Sequence, residues 1–163
     1  MRRLSSIRRD RRGGATVELA MILPVLIYML LGALDIGRAY SQKLVLTQAS
    51  QRSIEKVMQS SFQTTAVDSL KAEAASAATA SGVNATASDV VVDYWLQCNG
   101  VRQTTGGQDV AYNGVCPSSQ AYARYLNVQI TAKYTPMFAK LKWAAANTDG
   151  TFTIKGKAGI RTQ

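Results

Sequence analysis

The chain has no histidine, only two cysteines and only three prolines among its 163 residues. Without histidine there is no Ser-His-Asp or Cys-His constellation, no imidazole acid–base chemistry and no imidazole metal ligand. Two cysteines alone do not close a four-ligand zinc site. Acidic residues are also scarce: 10 Asp+Glu stand against 19 Lys+Arg, for a net charge of +9. The expectation is a protein that is not an enzyme and takes no cofactor or metal. The excess positive charge is uneven. Residues 1–12 hold Arg2, Arg3, Arg8, Arg9, Arg11 and Arg12 against Asp10, whereas the rest of the chain holds 13 basic and 9 acidic groups. A nucleic-acid-binding domain carries its basic surface on the folded part. The charge here marks a short tag, and nucleic acid is not among the expected partners. The length suits one compact domain plus an appendage.

Behind the basic tag stands an uncharged run of 16 residues, Leu19 to Leu34; counted from Gly14 there are 21 residues with one charge, Glu18. A helix crosses a bilayer with about 20 mostly apolar residues. The arginines that precede the run predict a cytoplasmic tag and a body across the membrane. The helical pattern then continues as an amphipathic stripe, Ile36, Tyr40, Leu44, Thr47, Ile54, Val57, Met58 and Phe62, to about Phe62. Pro24, Gly32 and Gly37 are the points where such a helix bends, with Pro24 the candidate kink. Residues 66–81, rich in alanine, predict a second helix with the stripe Val67, Leu70, Ala74, Ala77 and a stop at Gly82.

After Ala87 the period changes to two. Runs beginning at Val90, Leu126 and Phe152 each alternate an apolar with a mostly polar face. Together they predict a small antiparallel sheet of about three strands, one-sided and covered by a helix. The expected fold class is α+β. Between the first two runs lies a turn-rich loop bracketed by Cys98 and Cys116. In an oxidising compartment these two thiols are expected to pair. The expected organisation is a basic leader (1–13), a transmembrane helix (14–34), a helical region (35–82) and a small β-rich domain (83–163).

Other features have ordinary readings. Asp109 to Asn113 resembles the start of a calcium loop, but Ala111 and Gln120 stand where oxygen ligands are needed. Asp89 and Asp93 read as one solvated strand face. Asn84-Ala85-Thr86 matches a glycosylation sequon. Trp95, Tyr94, Tyr112, Tyr122, Tyr125 and Trp143 are core residues or an adhesive patch. The stretch from Phe138 to Trp143 reads as a connection, with contact to lipid headgroups as the alternative.

The most informative feature is the junction of tag and apolar run. A secretory signal peptide has a shorter apolar region, no charge near its start and a small-residue cleavage site after it; a plain signal anchor leaves Glu18 without a role. A carboxylate at membrane depth is costly and implies a partner. Cleavage after Gly13 would supply one: Gly14 would become a free ammonium, able to neutralise Glu18 of a neighbouring subunit.

The run Arg11-Arg12-Gly13-Gly14-Ala15-Thr16-Val17-Glu18-Leu19-Ala20, with Leu23-Pro24, Leu31-Gly32 and Asp35-Ile36-Gly37-Arg38-Ala39, resembles the class III signal of type IV prepilins and pseudopilins. More narrowly it resembles TadE-like proteins, the minor pilins or pseudopilins of tight-adherence (Flp) pilus systems. Where that family has an aromatic after the glutamate, this chain has Leu19. The resemblance implies cleavage between Gly13 and Gly14 by a prepilin peptidase, with Glu18 serving recognition or assembly. It implies other pilins as partners through the N-terminal helix. It also implies an inner-membrane location with the C-terminal domain periplasmic, and incorporation in the extracellular pilus as an open alternative. A second reading keeps the leader and makes the chain a single-pass envelope protein with a ligand-binding outer domain.

Overall fold

A computed structural model describes residues 13–60, 62–103, 112–137 and 147–162. The leader up to Arg12, the Asp109–Ala111 part of the calcium-like run, and the stretch from Phe138 to Trp143 lie outside the described residues. The elements are α1 (Gly14–Ser60), α2 (Val67–Ala80), β1 (Val90–Cys98), β2 (Val101–Arg102), β3 (Tyr122–Tyr134) and β4 (Phe152–Arg161), with single 3-10 turns at Thr64–Ala66 and Ala87–Asp89. The fold is α+β. The chain divides into two compact units: one ends at Arg38, the other begins at Ala39.

The first unit is the apolar half of α1, whose side chains are nearly all exposed. The second unit is a helix-covered sheet. Its four strands are antiparallel in the order β2-β1-β3-β4. Their inner face carries Val90, Val92, Tyr94 and Leu96 from β1, and Leu126, Val128 and Ile130 from β3, all buried. From α2 come Leu70, Ala74, Ala75 and Ala78. The fourth strand, beyond the three of the sequence pattern, is β2. At two residues it is too short to display a period. It exists because Asn99 and Gly100, both at positive φ (49° and 81°), form the tight two-residue turn after β1.

Helix α2 stops where glycine allows it. Gly82 sits at φ 88°, its N–H bonds the Thr79 carbonyl, and the Val83 N–H reaches back to Ala78. These are the paired bonds of a Schellman stop, with Val83 buried against the core. Asp89 is not on a strand face. It closes a capping box with Thr86, whose hydroxyl and N–H both donate to its carboxylate (2.6 and 2.9 Å), and these bonds hold its pKa below the usual carboxylate range. Before β4, Asp149 accepts from Lys133 (2.8 Å) and from the Thr151 hydroxyl and N–H, which keep it far below that range.

The packed face of α1 differs from the stripe of large residues. Tyr40, Leu44 and Met58 are exposed, while Leu46, Ala49, Ser50, Ser53, Ile54 and Val57 are buried. The cause is contact distance. A Cβ added to Gly156, in the middle of β4, would stand 2.5 Å from the Leu46 Cβ and closer still to the Leu46 carbonyl carbon and the Thr47 nitrogen. The helix backbone lies directly on the strand there, with the small residues Ala49, Ser50 and Ser53 buried next along the helix. The Ser50 hydroxyl donates to the Leu46 carbonyl (2.9 Å) and reaches the Gly156 carbonyl (3.4 Å); Ser53 donates to the Ser50 carbonyl (2.8 Å). Both buried hydroxyls are thereby satisfied at low volume.

Adding one methyl group at this contact forces backbone apart. Gly156→Ala is expected to destabilise the full-length protein in detergent by about 2–3 kcal/mol, the upper range for overpacking, measured by urea unfolding. Gly159→Ala, whose added Cβ would meet the Asn127 side chain at 3.3 Å and the Leu126 carbonyl oxygen at an ordinary 3.5 Å, is expected to cost under about 1 kcal/mol.

Candidate functional site

The described chain begins with the candidate site. Gly13 precedes α1, Gly14 opens it, and Glu18 follows one turn after Gly14 on the same face. A Cβ added to Gly13 or Gly14 would meet nothing within 4 Å. Both glycines are exposed. The Thr16 hydroxyl donates to the Gly13 carbonyl (2.7 Å) and so satisfies one group next to the Gly13–Gly14 bond. Glu18 is exposed, and among the described residues it has no hydrogen-bond or ion-pair partner.

From Glu18 onward the helix is apolar around its whole circumference. Leu19, Met21, Ile22, Val25, Leu26 and Met29 are all at least half exposed. A helix apolar on all sides is stable when hydrocarbon or other apolar helices surround it. Among the described residues α1 is the one helix long and apolar enough to cross a membrane. Pro24 lies inside it. Proline has no N–H to donate to the Ala20 carbonyl, which weakens the helix at that turn.

Cys98 and Cys116 are joined in a disulfide, with Cα atoms 5.7 Å apart. The loop they close is pinned at its second end by Arg124 of β3. Its Nε donates to the Tyr112 carbonyl (2.8 Å) and Nη2 to the Gly114 carbonyl (3.2 Å). Tyr112 is buried and packs edge-on against Phe62 and Tyr94, ring centroids 5.3 and 5.5 Å away. Its hydroxyl meets that of Thr162 at 3.1 Å. The aromatic residues thus divide: Tyr94 and Tyr112 belong to the core, Trp95 and Tyr125 stack on the outer sheet face, and Tyr122 is exposed. Asp93 pairs with Arg102 at 2.9 Å. Asn84 is exposed. No group of three His, Cys, Asp or Glu that could hold a metal occurs among the described residues.

Arg124 had no signal in the sequence, because its contacts lie 10 and 12 residues away across a loop and need the fold to exist. Gly156 had one: an isolated glycine within an alternating strand marks a bulge or a close backbone approach.

Residues 13–54 match the family of TadE-like proteins, a finding consistent with a TadE-like protein of the Tad pilus system. The match begins at the Gly13–Gly14 pair and ends within the packed half of α1. It points to involvement in Tad pilus assembly, a structural rather than a catalytic task. Together with the exposed apolar helix it fits a membrane-anchored protein. No curated protein and no solved structure matches the chain.

The disulfide closes a loop of 18 residues' separation, and a bridge over such a loop contributes about 3 kcal/mol on the chain-entropy view. The Cys98→Ser, Cys116→Ser double variant is accordingly expected to unfold about 3 kcal/mol more easily, read by denaturant unfolding of the full-length protein. An unchanged midpoint would mean that Arg124 and Tyr112 hold the loop unaided.

Proposed function

We propose that this chain is a minor pilin or pseudopilin that enters the inner membrane with a basic leader, loses that leader to a prepilin peptidase between Gly13 and Gly14, and takes part in assembling Tad/Flp-type pili. The observation that carries the reading is the coincidence of the TadE-like match at residues 13–54 with an exposed Gly13–Gly14 pair, an exposed Glu18 and a helix apolar on every side.

Each feature then has a task. The arginines up to Arg12 keep the leader in the cytoplasm. Residues 14–34 span the inner membrane, and 83–163 form a periplasmic β-rich domain whose Cys98–Cys116 bridge suits that oxidising compartment. The helical region 35–82 lies between them. Removing the leader removes its positive charge and creates an ammonium at Gly14. Glu18 of one subunit then meets the Gly14 ammonium of its neighbour, which offsets the cost of a carboxylate at membrane depth. Neighbouring apolar helices pack through close van der Waals contact rather than through a hydrophobic drive, since lipid is equally apolar. Pro24 leaves the Ala20 carbonyl without its helical donor and so softens the helix in this packing. The partners on this reading are the prepilin peptidase, other pilins or pseudopilins, and the inner membrane.

A second reading is an unprocessed single-pass envelope protein whose outer domain binds a ligand. It is favoured by one observation, an open trough on the outer sheet face. It leaves Glu18 without a task.

Glu18→Ala separates the two. The variant is expected to reach wild-type levels in the membrane and to fail to restore pili in a deletion strain, counted by electron microscopy. Normal pilus numbers would remove Glu18 from assembly.

A further inference from the structure

The strand register sets the outer face of the sheet in rows. Trp95, Tyr125 and Arg161 stand side by side in one row. Asp93, Asn127 and Gly159 form the next, and Val91, Gln129 and Lys157 the one after. None of these residues is buried. In the first row the Trp95 and Tyr125 rings stack, centroids 5.3 Å apart and 13° from parallel, and the Arg102 guanidinium lies over Trp95, 4.5 Å from its ring centroid. In the middle row Gly159 contributes no side chain. The result is an open trough of about 430 Å³ with an aromatic wall, a floor of Asn127 and Gly159, and Lys157 on the far side. The rows on either side of the floor are four residues apart, about 13 Å along the strand.

Two properties of the trough point to a ligand. First, Trp95 Nε1 and Asn127 Oδ1 have no hydrogen-bond partner among the described residues, although neither atom reaches solvent. One is a donor and the other an acceptor, and an unmet buried polar atom is a standing cost. Secondly, the charge is lopsided. The carboxylates of Asp93 and Asp149 are already paired, with Arg102 and Lys133. Lys155 and Lys157, on the outer side of β4, have no acidic partner among the described residues.

We propose that this trough binds an acidic polysaccharide, a chain of sugar rings that carry carboxylates. The carboxylate meets Lys157. A ring hydroxyl can donate to the Asn127 oxygen once the carboxamide turns it outward, whereas Trp95 Nε1, which does not reach solvent, takes no part. The Asn127 oxygen stands beside Gly159, and rotation of the carboxamide away from it turns that oxygen to the ligand. Single-stranded nucleic acid is disfavoured, because base stacking needs an open ring face and the Trp95 ring already stacks on Tyr125 and carries the Arg102 guanidinium. A second copy of this chain is disfavoured by its own charges. Within the described part of the second unit Glu73, Asp89, Asp93 and Asp149 are engaged internally, which leaves only Glu55 and Asp68 to offer. The site is independent of leader removal, so it stands or falls apart from the pilin reading.

The test is calorimetric titration of the full-length chain in detergent with polygalacturonate, with neutral dextran and with oligothymidylate. Binding is expected for polygalacturonate and absent for dextran. Lys157→Glu is expected to weaken it by about tenfold or more, the loss of one charge-assisted contact. Asn127→Ala is expected to weaken it less, and Lys43→Glu on α1 to leave it unchanged. Lys157 is exposed, and an unchanged melting temperature of the variant checks that its effect is local. The proposal is overturned by no binding of polygalacturonate, by an equal loss in Lys43→Glu, which would mean undirected attraction, or by oligothymidylate binding as tightly with the same dependence on Lys157.

Discussion

The second unit depends on one contact, the backbone of α1 at Leu46–Thr47 lying against Gly156 of β4. Helix and strand approach this closely because the strand has no Cβ there and the helix offers Ala49, Ser50 and Ser53 around the contact. The rest of that unit is built around this contact. The sheet needs only one apolar face, α2 completes the cover with alanines, and the large side chains of the core gather around Leu126, Val128 and Ile130. The hydroxyls of Ser50 and Ser53 turn back onto their own helix and cost no unmet hydrogen bond.

The same helix has a second environment. From Ala39 to Ser60 its inward face is closed by protein. Up to Arg38 its apolar side chains are turned outward around the whole circumference. Side chains of this kind are stable when lipid or other apolar helices surround them. An exposed glutamate near the start of such a surface is an expense unless a cation arrives beside it. The proposed cut at Gly13–Gly14 creates that cation on every subunit, which ties processing to assembly by charge.

Much of this was legible in the sequence, for identifiable reasons. The apolar run, the Gly13–Gly14–Glu18 spacing and the family resemblance are local in the chain and need no tertiary information. The three longer strands were legible because a half-buried sheet imposes period two, and the end of α2 because Gly82 adopts a conformation that other residues resist. The inward face of α1 was legible in part: Ile54 and Val57 are buried as the stripe implies, but Tyr40, Leu44 and Met58 are exposed. Hydrophobic periodicity gives weight to large residues, whereas the contact with Gly156 turns Ala49, Ser50 and Ser53 inward beside Leu46. Asp89 was assigned to a strand because its position fits the alternation, but the local Thr86–Asp89 capping box captured it. Arg124 and the Asn127–Gly159 trough were invisible, since both arise only when distant segments are brought into register.

The central claim is that the leader is removed at Gly13–Gly14, and the intact mass of the membrane-extracted protein tests it most directly, with and without a co-expressed prepilin peptidase. The account predicts a species that begins at Gly14 only when the peptidase is present. A chain that keeps its arginine leader in both samples would contradict it and leave a plain membrane anchor; a start beyond Ala33 would contradict the membrane-spanning role of α1 itself.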